Sequence, residues 1–186
     1  MSGPGGVFFR PFEMADAPAL LRWAASADEL LQWAGPHFSF PLDEDQLRTY
    51  AEGASATRHL ISGVHESGEI VAHAELNLLP RHRLGQVRRV AVAPQARGQG
   101  IGRELVTRLV QMGFDELGLH RIELVVFSLN GPARRCYEAI GFKEEGRARE
   151  ARMTVNGYQD LTYMALLEDS YSQVSYRNSS RPQERT

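Results

Sequence analysis

The residues best able to act together chemically lie in one short run, Gln95-Ala96-Arg97-Gly98-Gln99-Gly100-Ile101-Gly102. A strand pattern ends just before it at Ala93-Pro94, and an amphipathic helix pattern starts at Ile101. Glycines at such a junction adopt positive φ and let a ligand approach the main chain closely. The first N–H groups of a helix have no partner within it, and the helix dipole favours an anion there. The run therefore suits a pyrophosphate, and Arg97 and Arg103 can add charge. A Rossmann fingerprint does not fit: Arg103 stands where its third glycine belongs, and no acidic residue follows at a strand end about 20 positions on. A P-loop needs Gly-Lys-Ser/Thr, which is absent. Gln95-x-x-Gly98-x-Gly100, after a Val-rich strand and before an amphipathic helix, is the pattern that remains.

The elements that must position this run follow from periodicity. Val7 to Arg10 predicts a short strand, and Glu13 to Ala25, Ala27 to Trp33 and Asp43 to Gly53 predict helices. His59 to His65 and Glu69 to Leu79 predict strands joined at Ser67-Gly68, and Val87 to Ala93 a further strand. Ile101 to Leu117 is a strong helix pattern, with Ile101, Leu105, Leu109, Val110, Phe114 and Leu117 on one stripe. His120 to Phe127 is apolar enough for a central strand. A short helix, Pro132 to Ile140, is closed by Gly141. Phe142 to Met153 and Tyr158 to Leu167 predict an antiparallel pair turning at Asn156-Gly157. This order predicts an α+β (α/β three-layer) domain around a mixed sheet. Residues 169–186 are polar and unpatterned, which predicts a disordered tail.

Composition narrows the function classes. A chain of 186 residues suits one domain and needs no disulfide or metal to hold it. No apolar run approaches the roughly 20 residues of a membrane helix. Met1 to Gly6 is small and polar, which predicts no signal peptide and a cytoplasmic protein. Cys136 is the single cysteine, and the six histidines fall in no HExxH or CxxC-type frame, so no metal site is expected. The net charge of −2 hides an asymmetry, −7 over residues 1–79 and +5 over residues 80–160. Opposite halves can serve ligands of opposite sign or be solvated faces that happen to differ. Few aromatics interleave the basic half, which argues against nucleic acid as a partner.

Gln95-x-x-Gly98-x-Gly100 resembles the cofactor motif of the GNAT superfamily of N-acetyltransferases. Arg121-Ile122-Glu123-Leu124 and the stretch Asn130-Gly131-Pro132-Ala133-Arg134-Arg135-Cys136-Tyr137-Glu138-Ala139-Ile140-Gly141-Phe142 resemble the same family's later strand, Asn, Tyr-bearing helix and Gly-Phe. Asn156 to Asp160 and Met164 to Leu167 resemble the branch containing ribosomal-protein N-terminal and small-amine or amino-acid acetyltransferases. The resemblance covers about residues 7–168. It implies a mixed, mostly antiparallel sheet of about seven strands flanked by helices. It also implies direct transfer of acetyl from acetyl-CoA to a primary amine on a protein N-terminus, amino acid or small amine, and it admits a homodimer. A non-catalytic acyl-CoA-binding or regulatory module on the same fold is the alternative.

The resemblance assigns roles. Arg97, Gly98, Gln99, Gly100, Ile101 and Gly102 would hold the pyrophosphate of acetyl-CoA. The main chain of Val90, Ala91 and Val92 would contact the pantetheine and thioester, while their side chains serve the core. Tyr137 would be the general acid for the departing thiolate, or else a core residue on the face of Ala133 and Ile140. Asn130 would bond the peptide-like part of CoA or cap the helix it precedes. Arg134 and Arg135 lie toward the expected cofactor edge. Glu75 is the candidate base or amine-binding group, with Glu123 its competitor, and His73 and Asn77 share Glu75's face. Trp23, Trp33, Phe38, Phe40 and Tyr50 among Asp28, Glu29, Asp43, Glu44 and Asp45 would suit a cationic amine, or be core and helix caps. Cys136 is assigned to packing.

Overall fold

The computed structural model describes residues 6–172. Seven strands make one sheet: β1 (Val7–Pro11), β2 (Arg58–His65), β3 (Ile70–Leu79), β4 (Leu84–Val92), β5 (Arg121–Phe127), β6 (Lys143–Thr154) and β7 (Gly157–Leu167), in the order β1-β2-β3-β4-β5-β7-β6. Only β4 and β5 pair in parallel; every other neighbouring pair is antiparallel. The sheet is thus mixed, as the element order predicts, and mostly antiparallel, as the resemblance implies.

Helices α1 (Ala17–Trp23), α2 (Ala27–Ala34) and α3 (Glu44–Glu52) fill the connection from β1 to β2. The single predicted helix from Glu13 to Ala25 is instead a 3-10 turn, Met14–Asp16, followed by α1. Pro18 lies in the first turn of α1, where its missing N–H is harmless but from which no α-helix can continue upstream. Asp16 sits between the two pieces, buried, accepting from Arg10 at 2.7 and 2.8 Å and from the Ser62 hydroxyl at 2.7 Å. α3 lies on the sheet face that carries His73 and Glu75, since the Tyr50 hydroxyl and His73 Nε2 are 3.0 Å apart.

Helix α4 (Ile101–Gln111) covers the opposite face, burying Ile101, Leu105, Val106, Leu109 and Val110. The predicted helix to Leu117 changes winding at Met112, where residues Met112–Glu116 form a π turn. Gly113 lets that turn approach β5: a Cβ there would lie 2.6 Å from Ile122 Cδ1. Helix α5 (Gly131–Ile140) packs beside α4 and ends at Gly141 with φ 117°. Residues 169–172, expected to open a disordered tail, are helical instead. Residues 168–172 form a helical turn, with the Tyr171 ring stacked on Phe114 at 4.9 Å and its hydroxyl donating to Asp115 at 2.7 Å. The rest of the predicted tail lies outside the described residues.

Candidate active site

Two features of β4 shape the site. First, β5 pairs with β4 only from Leu84↔Arg121 to Gln86↔Glu123, although β4 runs on to Val92 and β5 to Phe127. Beyond Gln86 the two strands part, and the main chain of Val90, Ala91 and Val92 borders the opening. Second, β4 bulges. Glu75 is paired with Arg88 and His73 with Ala91, so two residues of β4 face one of β3. Arg89 sits in the bulge at φ 51°, a left-handed conformation that costs a non-glycine residue roughly 1–2 kcal/mol. The extra residue bends β4 and increases its twist, which accounts for the strands parting just above it.

The glycine run follows β4 through a 3-10 turn, Pro94–Ala96, into α4. Gly98 and Gly100 have φ of 77° and 85°, and nothing lies within 4 Å of where a Cβ would project from either. The space beside them is open to a ligand. Gly102 differs, since a Cβ there would lie 3.3 Å from Val92 Cγ2, so its smallness serves helix–strand packing. The Ser26, Asp43 and Asn130 side chains cap α2, α3 and α5, whereas α4 begins at Gly100 without a side-chain cap. Its first N–H groups are therefore free for a ligand anion. Arg97 Nε donates to the Val92 carbonyl at 3.1 Å, fixing the guanidinium beside the run, and Gln99 Nε2 reaches back to Gln95 O at 3.0 Å.

Helix α5 brings Tyr137 to the same face as α4. The side chain is 8% exposed and packs edge-on against Phe142, with ring centroids 6.1 Å apart. Burial, with a smaller contribution from Cys136, pushes the hydroxyl up from its ordinary value, so it holds its proton throughout the physiological range. Both sequence readings of Tyr137 are thus compatible: the ring is core, and the hydroxyl is a neutral donor. Asn130 Oδ1 accepts from Ala133 N at 3.2 Å, so the capping half of its expected role is present. Arg134 is engaged by Glu144 at 2.8 Å. Burial also raises the Cys136 thiol, which keeps it protonated and a poor nucleophile.

Glu75 occupies a different setting from the one expected of a strand carboxylate beside an acceptor. It is 1% exposed, and its Oε2 is held by Arg89 at 2.5 Å and by Arg58 at 3.4 Å. The two guanidiniums also flank the Tyr50 ring, at 4.6 Å for Arg58 and 5.4 Å for Arg89. Burial and the field of Arg89 push His73 down to about 3, so it is neutral. Glu123, the competitor, is occupied by Gln86 at 2.8 Å and Arg121 at 3.2 Å. Removing one charge from a buried pair costs about 3–5 kcal/mol. Glu75→Gln is therefore expected to lower Tm by roughly 10 °C in a thermal melt. An unshifted melt would mean that the carboxylate is not holding the two arginines.

Sequence reasoning missed the group around Glu75, although its signal was present: Arg88-Arg89 interrupts an otherwise apolar strand. His37, in the 3-10 turn after α2 with its ring edge-on to Phe38 and Tyr50, feels the same charges. Burial pushes its imidazole down, Arg89, Arg58 and Arg88 push it further, and Glu75 opposes them. An open cavity of about 360 Å³ lies between α2 and the β6–β7 hairpin, lined among others by Asp28, Leu31, Phe38, Phe40, Met153 and Val155. Asp28 accepts the Val155 N–H at 3.2 Å and ties the hairpin to α2. Of the aromatic residues considered for an amine, Trp23 and Tyr50 are core, while Phe38 and Phe40 line the cavity. Asp43 is a helix cap.

Comparison with known proteins identifies the family. The family model described as "Acetyltransferase (GNAT) family" matches residues 26–142. A spermidine N(1)-acetyltransferase of Vibrio cholerae is 31% identical over 119 residues, 58% of this chain and 69% of that protein. An L-amino acid N-acetyltransferase of Escherichia coli K12 is 30% identical over 100 residues, 53% of this chain and 62% of that protein. Among solved structures, spermidine N-acetyltransferase from Vibrio cholerae in complex with CoA and spermine superposes with a TM-score of 0.80, at 24% identity, over 90% of this chain and 98% of that one. At that identity the likeness is one of fold. No helix among the described residues is long and apolar enough to cross a membrane.

Proposed function

The chain belongs to the acetyltransferase (GNAT) family, an enzyme with acetyl-CoA as its donor, and from that premise we propose how its residues divide the work and where the acceptor enters. Acetyl-CoA supplies the thioester: the amine nitrogen bonds to the acetyl carbon as the carbon–sulfur bond breaks. Gly98, Gly100 and the uncapped N–H groups of α4 hold the pyrophosphate. The main chain of Val90 to Val92 lines the parting of β4 from β5 and offers N–H donors to the thioester oxygen. Tyr137 carries the proton that the departing sulfur takes up, and Asn130, with its oxygen on Ala133, offers its amide group to the carrier. The primary amine of a small molecule or peptide N-terminus enters through the cavity between α2 and the hairpin. Glu75 acts as a positioning residue for Arg58 and Arg89 rather than as the base, because both guanidiniums already occupy it.

The observation that carries this reading is the junction itself. An open glycine cradle and an uncapped helix start stand at the end of the strand that leaves its neighbour. A ligand that binds only the native state stabilises it by about 2.7 kcal/mol at a hundred times its Kd. Acetyl-CoA at that concentration should raise Tm by roughly 5–10 °C for a domain of this size. No shift at saturating acetyl-CoA would contradict the assignment of the cradle.

A further inference from the structure

Two consecutive arginines of β4 lie near Glu75, and the carboxylate pairs with the one that a regular strand would keep from it. Arg88 stands directly opposite Glu75 in the register, yet it is exposed and its guanidinium contacts the Gln86 side chain. Arg89, one position on, is 9% exposed and holds Glu75 Oε2 at 2.5 Å. Neighbouring side chains of a regular strand point to opposite faces, so Arg89 would there lie on the face that α4 covers. The bulge and the left-handed φ of 51° at Arg89 turn it back onto the face of Glu75. The ion pair therefore belongs to the bulged register alone. Arg58, from β2 on the far side of β3, lies 3.4 Å from the same oxygen and fixes the carboxylate from that side. Glu75 is the single anion that Arg89 reaches among the described residues.

The register decides which main-chain groups face the parting of β4 from β5. Ala93 N donates to Val71 O on β3 at 2.9 Å, and main-chain groups alternate sides along a strand. Ala91, paired with His73, thus also turns to β3, while Val90 and Val92 turn their N–H and C=O groups away from it. The Val92 carbonyl agrees, since it accepts from Arg97 Nε at 3.1 Å. Without the extra residue, the Glu75↔Arg88 pairing would run on to set Val90 opposite His73 and Val92 opposite Val71, and both would bond their N–H groups to β3. We propose that the Arg89–Glu75 pair is a register lock, which makes both residues positioning residues for the transfer. The lock holds in β4 a left-handed residue that an unbulged strand would not contain, and so aims the Val90 and Val92 N–H groups at the thioester oxygen. This role rests on the acetyl-transfer reading above. It requires Glu75 to stay ionised and occupied, the reverse of what a general base does.

The test follows thiol release by the full chain and its variants, well below their melting temperatures. The substrates are acetyl-CoA and whichever of spermidine, free amino acids or a short peptide the parent acetylates fastest. Arg89→Ala and Arg89→Gly lose the same guanidinium and differ in whether residue 89 holds a left-handed φ unaided. Arg89→Gly should exceed Arg89→Ala in kcat by about 5- to 30-fold, the left-handed strain of a non-glycine residue expressed as a rate ratio. KM for acetyl-CoA should be alike in the two, because the glycine cradle is untouched. Hydrogen exchange at the Ala91 amide, which the lock turns to β3, should be faster in Arg89→Ala than in Arg89→Gly. Glu75→Gln should lower kcat by about 5-fold or more beside Arg89, and by less than about 3-fold in the Arg89→Gly background. Equal kcat in the two Arg89 variants would overturn the proposal while leaving acetyl transfer intact. An equal loss from Glu75→Gln in both backgrounds would also overturn it, and a flattened rising limb of the pH profile beside that loss would make Glu75 the base. A parent that turns over no amine would overturn the acetyl-transfer reading and the proposal with it.

Discussion

Tyr137→Phe is expected to lower kcat by about 100- to 10,000-fold, the usual contribution of a positioned proton donor. The ring packs on Phe142 and fills the core, and phenylalanine keeps that packing. Only the hydroxyl is lost, and it makes no hydrogen bond among the described residues, so the melt should stay within about 0.5 kcal/mol of the parent. The KM for acetyl-CoA should change little, because the hydroxyl acts on the departing sulfur rather than on the bound carrier. Steady-state kinetics beside a melt separates these effects. Unchanged turnover would remove Tyr137 from the mechanism and leave it as a core residue.

Gly100→Asp is expected to abolish acetyl-CoA binding, raising its KM about 100-fold or more, which at 1.4 kcal/mol per decade is roughly 2.8 kcal/mol. Protein sterics do not object to the side chain, since nothing lies within 4 Å of the Cβ position. The φ of 85° strains a non-glycine residue by roughly 1–2 kcal/mol. An aspartate at a helix N-cap offsets part of that cost. What the substitution changes is the space outside the protein: it places a negative group where the pyrophosphate would sit and lets that group take the free N–H donors. The variant should melt near the parent temperature and show no shift with acetyl-CoA. A normal shift would mean that the cradle holds something else.

The glycine run, its strand and its helix were legible in the sequence because local rules govern them. Positive φ selects glycine at 98 and 100, and helix periodicity fixes the start of α4. The same local logic found seven strands and the caps Asp43 and Asn130. It did not find the bulge, because a left-handed arginine at 89 obeys no propensity; it is imposed by pairing with β3 and by the buried carboxylate of Glu75. For the same reason Glu75 read as a strand carboxylate available for proton transfer. Its partners Arg58 and Arg89 are 17 and 14 residues away and meet it only when the sheet forms. The π turn was hidden too, since Gly113 in a helix pattern gives no hint that Ile122 will press against it. Tyr171 looked like part of a polar tail because its partners Phe114 and Asp115 lie far back in the chain.

Under the proposed function, acetyl passes directly from acetyl-CoA to an amine held in the opening between β4 and β5. Initial rates of thiol release, measured while acetyl-CoA and a primary amine are both varied, test it most directly. Direct transfer predicts amine-dependent release with double-reciprocal lines that intersect, because both substrates must be bound together. Parallel lines would mean that acetyl rests first on the protein, and release indifferent to amine would mean that no transfer to an amine occurs; either result would contradict the account.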